Sequence, residues 1–414
     1  MKALVLGGGV VGATTAYYLA RDGVEVELVE SAPEVGTDAT AGNAGLIAPG
    51  HSFAWASPRA PGMLVRSLFG EQTAIQVRLR FDPELVGWGL RFLRECTDDR
   101  AKRNTLVKLR ICRYSQQQLD ALAQQEAIDY LDGHSGILYL YRDAHELELG
   151  ARKMEFLAEH GQKVETLDAA RVAALEPALA SVEDRIAGAV YSPTDGSGSS
   201  QVFTQRVAEA CERLGASIRT GTRVRSLRAQ GDRIIGAVTD TETLSADVYV
   251  LAAGVGSPAI SRTVGVKLPI YPAKGYSVSF PLTDGAAPVI GGVDEAPLVA
   301  WSRLGDRLRM TSTAEFAGHD RTAPQSRFDG ILRVAKELFP DAADYTKGER
   351  RACLRPMTPD GPPVLGTGRY ENLYLNTGHG HMGWTMACGS SRAVADLIQG
   401  RRPELDLTGT AYRW

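Results

Sequence analysis

MKALVLGGGVVGATTAYYLARDGVEVELVE, residues 1–30, reads as strand, glycine turn, helix, strand and terminal acid. Lys2–Leu6 is apolar and β-prone, and Gly7, Gly9 and Gly12 form G-x-G-x-x-G at its end. The pattern predicts a helix from Val10 to about Arg21 and a second strand from Val24 to Val29, closed by Glu30. In such a unit the first glycine permits a tight turn and the second lets a pyrophosphate approach bare backbone. The third lets helix and strand pack closely. The helix start offers unpaired N–H groups and a positive dipole end to the phosphates. A carboxylate at the Glu30 position accepts hydrogen bonds from ribose hydroxyls and repels a 2′-phosphate. Gly7, Gly9, Val10, Val11, Gly12, Glu30 and Ser31 are therefore candidates for the ADP end of a dinucleotide. At this point NAD and FAD are both open.

At 414 residues the chain exceeds a single core, so two domains are expected. A net charge of −3 gives no electrostatic case for nucleic acid. The five cysteines, Cys96, Cys112, Cys211, Cys353 and Cys388, have neither CxxC nor metal spacing, so no metal site is expected. A dispersed, odd set points to reduced thiols and a cytoplasmic setting. The apolar start reads as a buried strand rather than a signal peptide, because glycines interrupt it. No apolar run approaches the roughly 20 residues that span a bilayer.

Beyond Glu30 the small, glycine-rich GTDATAGNAGLIAPG (36–50) suits a flat ligand. Helical patterning dominates 83–171, interrupted by the strand-like GILYLYR (136–142). A strand at 186–191, the turn-rich PTDGSGSS and an amphipathic helix at 201–214 follow. Short strands near 217–219, 224–227 and in IIGAVTD suggest a second α/β stretch, and DVYVLAAG (247–254) a buried strand entering a small-residue turn. From Lys267 to Met310 the pattern becomes an antiparallel sheet. The expected organisation is a discontinuous cofactor domain (1–80, 186–266, 350–414) and a substrate domain (81–185, 267–349).

Four later features fit a flavin better than a nicotinamide: the Ala252–Ala253–Gly254 turn, the 36–50 loop, LRPMTPDGPPVLG (354–366) and NTGHGHMGWTMACGS (376–390). A helix N-terminus at the last would place positive potential beside the reduced ring's N1/O2 edge. The cofactor candidates thus extend to Asn43, Ala44, Gly45, Leu46, Val224, Ala253 and Gly254. They continue through Gly378, His379, Gly380, Met382, Gly383, Trp384 and Thr385.

With GGGVVGATTAYYLA, NAGLIAPG, QVFTQ, YPAKGYS, LRPMTPDGPPVLG and NTGHGHMGWTMACGS in order, the chain resembles the D-amino-acid oxidase superfamily. Within it, the chain is most similar to the small-subunit family of bacterial D-amino-acid dehydrogenases. The resemblance covers essentially the whole length. It implies an α/β (α+β overall) fold, with a glutathione-reductase-like FAD-binding Rossmann domain and a second, mixed β-sheet substrate domain. It also implies noncovalent FAD, oxidation of free D-amino acids to 2-oxo acids and ammonia, and a quinone-type electron acceptor. One departure is the serine-rich PTDGSGSSQVFTQ, which lacks the acid-plus-cysteine stretch expected there and leaves substrate preference open.

Hydride transfer from Cα to flavin N5 needs orientation more than a strong base. The substrate carboxylate calls for a fork-like cation. Arg355, in the L-R-P segment where related amine oxidases hold such an arginine, is the candidate. Tyr276 and Tyr271, flanking Lys274, are candidates to cap the carboxylate or cover the pocket, and His51 to face the isoalloxazine. His379 and His381 lack a third ligand nearby, so His379 is assigned a flavin contact rather than a metal. APGMLVRSLFG (60–70) and the basic residues between Arg91 and Arg113 are candidates for peripheral docking on the inner face of the cell membrane, near a quinone pool. The alternative readings are an enzyme for glycine, sarcosine, D-proline or hydroxyproline, a catalytically inactive flavin-binding subunit, and an NAD-dependent dehydrogenase.

Overall fold

In a computed structural model, residues 1–68, 75–78, 81–131, 133 and 135–412 are described. The expected opening unit is present as strand Lys2–Leu6, helix Val10–Arg21 and strand Glu25–Val29. These strands lie inside a six-stranded sheet. Its order is Val364–Thr367, Leu373–Thr377, Val248–Leu251, Lys2–Leu6, Glu25–Val29 and Ser217–Arg219. All neighbours are parallel except the first pair. The central strands are buried on both faces, which is why they read as continuous apolar runs rather than alternating ones.

Helices Val10–Arg21, Ser200–Arg213 and Gly383–Ile398 cover one face, packing Tyr17, Phe203 and Trp384 into a common core. On the other face lies a three-stranded antiparallel sheet, Val224–Gln230, Arg233–Thr239 and Thr243–Leu244. The expected α/β alternation there does not occur. Leu227, Ile234 and Leu244 point inward between exposed neighbours, the period-two pattern of a one-sided sheet.

The second layer is a nine-stranded mixed sheet centred on Tyr271–Pro281, Arg307–Phe316 and Val299–Leu304. It includes Ile75–Val77, Gly188–Ser192 and Glu349–Met357, so the sheet boundaries differ from those expected near 80, 186 and 350. The long helix Asp98–Glu126, expected with the substrate domain, packs Leu119 and Leu122 into the cofactor-side core. Pairing with partners remote in sequence decides which layer these segments join, and a linear pattern does not show it.

The glycine turn has the steric logic foreseen. Gly7 adopts φ 112°, and a Cβ on Gly12 would stand 1.8 Å from the Gly7 carbonyl oxygen. Helix and turn are therefore too close for any side chain at residue 12.

Candidate active site

One cavity of about 890 Å³ is lined by both large sheets. Gly7, Gly9, Val10, Val11, Glu30 and Ser31 line one end. The first helix begins there at Gly9 with no side-chain cap. The Val10 N–H donates to Thr40 Oγ1 at 3.1 Å, and the positive dipole end of the helix faces the cavity. Backbone N–H groups of Gly8 (2.6 Å) and Ala32 (2.7 Å) hold the Glu30 carboxylate, which keeps further acceptor capacity. Val224, Ala253 and Gly254 continue the wall. Gly12 does not line the cavity; it serves the packing of helix on turn.

Asn43, Ala44 and Leu46 form the middle. Gly45 lies behind them at φ 80°, where a Cβ would meet Ser302 Oγ at 2.4 Å. The second sheet pins this loop. Arg309 donates to the carbonyls of Ala41 (2.9 Å) and Asn43 (2.8 Å), and Ser302 Oγ to that of Ala44 (2.7 Å). Burial lowers the Arg309 pKa to about 10. Gly378, His379, Gly380, Met382, Gly383, Trp384 and Thr385 stand on the cofactor-sheet side, where the Gly383–Ile398 helix opens without a side-chain cap. Thr385 Oγ1 accepts the Ala48 N–H at 3.2 Å. The His379 ring is engaged with Ser390 Oγ at 2.9 Å, which leaves its backbone rather than its imidazole for a cofactor.

Two helix starts, a glycine turn and the fixed Glu30 carboxylate thus line one cavity. Nε2 of His381 and Nε1 of Trp384, residues of its wall, are buried without a hydrogen-bond partner among the described residues. Such atoms call for a polar partner, and the donor set fits FAD.

At the far end the Arg355 side chain lies across the bare backbone of Gly275, where a Cβ would come within 2.4 Å of the guanidinium. Enclosure lowers its pKa through desolvation. His51 stacks on Tyr139 (5.8 Å between centroids, 6°) and meets His381 edge-on at 6.0 Å. His381 in turn stacks on Trp55 at 4.8 Å. Burial pushes the His51 and His379 pKa values down to about 3, so both rings are neutral near pH 7.

The two tyrosines stand elsewhere. Strand alternation puts Tyr276 beside Lys274 and away from Gly275, and its hydroxyl donates to Glu315 within the substrate-side core. Tyr271 packs with Trp88 and Phe316, its hydroxyl 2.6 Å from Asp82. Neither lines the cavity. Lys274 pairs with Glu315 and Asp320 and supports the same strand.

Sequence reasoning missed Phe53, Trp55, Lys153, Glu295 and Arg309 on or beside the cavity. The aromatics following His51 carried a faint signal, whereas Lys153 looked like the solvated face of an amphipathic helix. Asp195 was also missed. Its carboxyl takes the Tyr139 hydroxyl (3.0 Å), the Gln162 amide (2.9 Å) and the Gly50 N–H (3.1 Å), and so fixes the loop that carries His51. Burial raises its pKa to about 7.

This fold and cavity define a flavoprotein oxidoreductase, and the chain belongs to the FAD-dependent oxidoreductase family, whose model matches residues 2–397. It is 48% identical over its full length, and that of the relative, to D-amino acid dehydrogenase 2 of Mesorhizobium japonicum. It is 42% identical, again over the full length of both, to D-amino acid dehydrogenase of Paramagnetospirillum magneticum. Among solved structures it resembles glycine oxidase from Geobacillus kaustophilus, with TM-score 0.78 and 22% identity over 99% of this chain and 98% of that one. L-proline dehydrogenase from P. horikoshii matches with TM-score 0.75 and 18% identity over 99% and 96%. These two matches establish the fold.

Proposed function

We propose that this chain oxidises free D-amino acids to 2-oxo acids and ammonia and passes the electrons to a quinone-type acceptor. The carrying observation is Arg355, a desolvated guanidinium laid against Gly275 at one end of a cavity that fits FAD. When bound, FAD supplies the two-electron acceptor for the Cα hydride. Arg355 grips the substrate carboxylate bidentately and so fixes the direction of the Cα–H bond. Neutral His51 and His381, backed by Tyr139 and Trp55, form a water-poor wall that leaves the substrate amine uncharged. The glycine turn, Glu30 and the 378–385 segment hold the cofactor. The names of the two full-length relatives support the substrate class.

The quinone reading is supported by a face on helix Pro83–Glu95. Val86, Leu90 and Leu93 form an exposed apolar row there, with Arg91 and Arg94 alongside. In the preceding helix, Ala60–Leu68, Met63 and Leu64 instead pack onto the Trp88–Phe92 core. Phe69 and Gly70, and the side chains of Val65 and Leu68, lie outside the described residues. No described helix is long and apolar enough to cross a membrane, so the contact proposed is peripheral.

Anaerobic titration tests the reading. D-amino acids are expected to bleach the flavin band and a quinone analogue to restore it. Bleaching by glycine, sarcosine or a proline derivative alone would move the substrate class, and rapid peroxide formation in air would make the protein an oxidase.

A further inference from the structure

Lys153, on helix Ala144–Ala158, and Glu295, just after strand Gly291–Asp294, both line the cavity. Neither side chain forms an ion pair or hydrogen bond with the other, or with any described residue. The Lys153 ammonium stands 4.1 Å from the Phe53 ring centroid and lines the cavity, although the residue as a whole is exposed. Desolvation lowers its pKa, and the same cause raises that of Glu295. The charges bearing on Lys153 are Glu295 and Arg59, whereas those bearing on His381 include Arg355. His51 links the two groups of residues: it feels Lys153 and touches His381, and Lys108 bears on both histidines. The lining beside Glu295 includes the apolar Val293, Leu298 and Ala300.

We propose that Lys153 and Glu295 form the side-chain subsite for the substrate and favour a net-neutral, dipolar terminus, a carboxamide such as that of D-glutamine. This rests on the D-amino-acid reading above. With the α-carboxylate on Arg355, the side chain passes this apolar lining and ends between an unpaired cationic donor and an unpaired anionic acceptor. A cationic terminus meets Lys153 and an anionic one meets Glu295, so each charged tail carries one repulsion for every attraction. An amide satisfies both groups, its oxygen accepting from Lys153 and its NH2 donating to Glu295. An apolar tail leaves both unpaired.

The test is the anaerobic rate of flavin bleaching per unit substrate, measured on the holoenzyme with D-glutamine, D-norleucine, D-lysine, D-glutamate and D-alanine. In the unmodified enzyme D-glutamine should exceed D-norleucine about tenfold, with both charged substrates below D-glutamine. Lys153→Met should raise the D-lysine to D-glutamate ratio about tenfold or more, and Glu295→Gln should lower it by a similar factor. These ratios are taken within one variant, so loss of folded protein or of FAD cancels. Ratios within about twofold of the unmodified enzyme in both variants, or equal rates for D-glutamine and D-norleucine, overturn the proposal. D-alanine separates the two failures. If it bleaches the flavin while the ratios stay flat, only the subsite falls; if no D-amino acid bleaches it, both readings fall.

Discussion

Arg355 and Gly275 depend on each other: the arginine occupies the space that a methyl group on residue 275 would take. Arg355→Lys replaces a planar fork by a point charge and gives up one charge-assisted hydrogen bond. That is about 1.5–3 kcal/mol, or roughly a 10- to 150-fold fall in kcat/KM, with the flavin spectrum unchanged. Steady-state kinetics with D-alanine check it. Asp195 carries a pH signature. Its folded pKa of about 7 lies above the ordinary carboxyl value of 3.8. The folded protein therefore holds a proton that the unfolded chain has lost, and this contribution to stability declines as pH rises between those values. Asp195→Asn, which stays neutral, should gain in Tm relative to the parent between pH 5.5 and pH 8.5. A constant difference across that range would show that Asp195 does not titrate there. The histidines act with the opposite sign. His51 and His379 have folded values of about 3 against an ordinary 6.5, so stability is lost as pH falls through that window.

At the scale of elements, the first strand–turn–helix unit was legible because local sterics and periodicity specify it. Gly12→Ala is expected to abolish FAD retention on gel filtration, since helix and turn must separate to admit a Cβ 1.8 Å from a carbonyl oxygen. Tyr276 shows where local reading stops. YPAKGYS announces a strand, but which face meets the cavity depends on register with Glu349–Met357 and Arg307–Phe316. By sequence Tyr276 and Arg355 are candidates for one site, but the register pairs Arg355 with Ala273 and Tyr276 with Ala352, which puts the two side chains on opposite faces. The exposed row on Pro83–Glu95 makes a further prediction. The Val86→Asp, Leu90→Asp double variant should lower co-sedimentation with anionic vesicles about tenfold while leaving D-alanine turnover in solution intact.

Across the whole molecule, a half-buried arginine of the second large sheet holds the 41–44 loop on the cofactor side. Arg309→Met would orphan the carbonyls of Ala41 and Asn43, at about 1–3 kcal/mol each. We expect a lower Tm and faster FAD loss, measured by thermal melts and by fluorescence of released flavin. Unchanged FAD release would show that the loop holds its shape without the second sheet.

By itself, the sequence determined the dinucleotide unit, the later glycine-rich segments and the candidacy of Arg355. The dinucleotide unit is set by neighbours within a few residues, through turn sterics, helix periodicity and strand burial, whereas the candidacy of Arg355 came from the family resemblance of its L-R-P segment. Tertiary structure alone decided which sheet claims residues 75–77, 188–192 and 349–357, and why the cofactor-side core takes helix Asp98–Glu126. It also brought Lys153 and Glu295, remote from each other in sequence, to one cavity, and sent Tyr271 and Tyr276 away from it. Those outcomes rest on long-range strand pairing and on the volume left when two layers close, neither of which a linear pattern records.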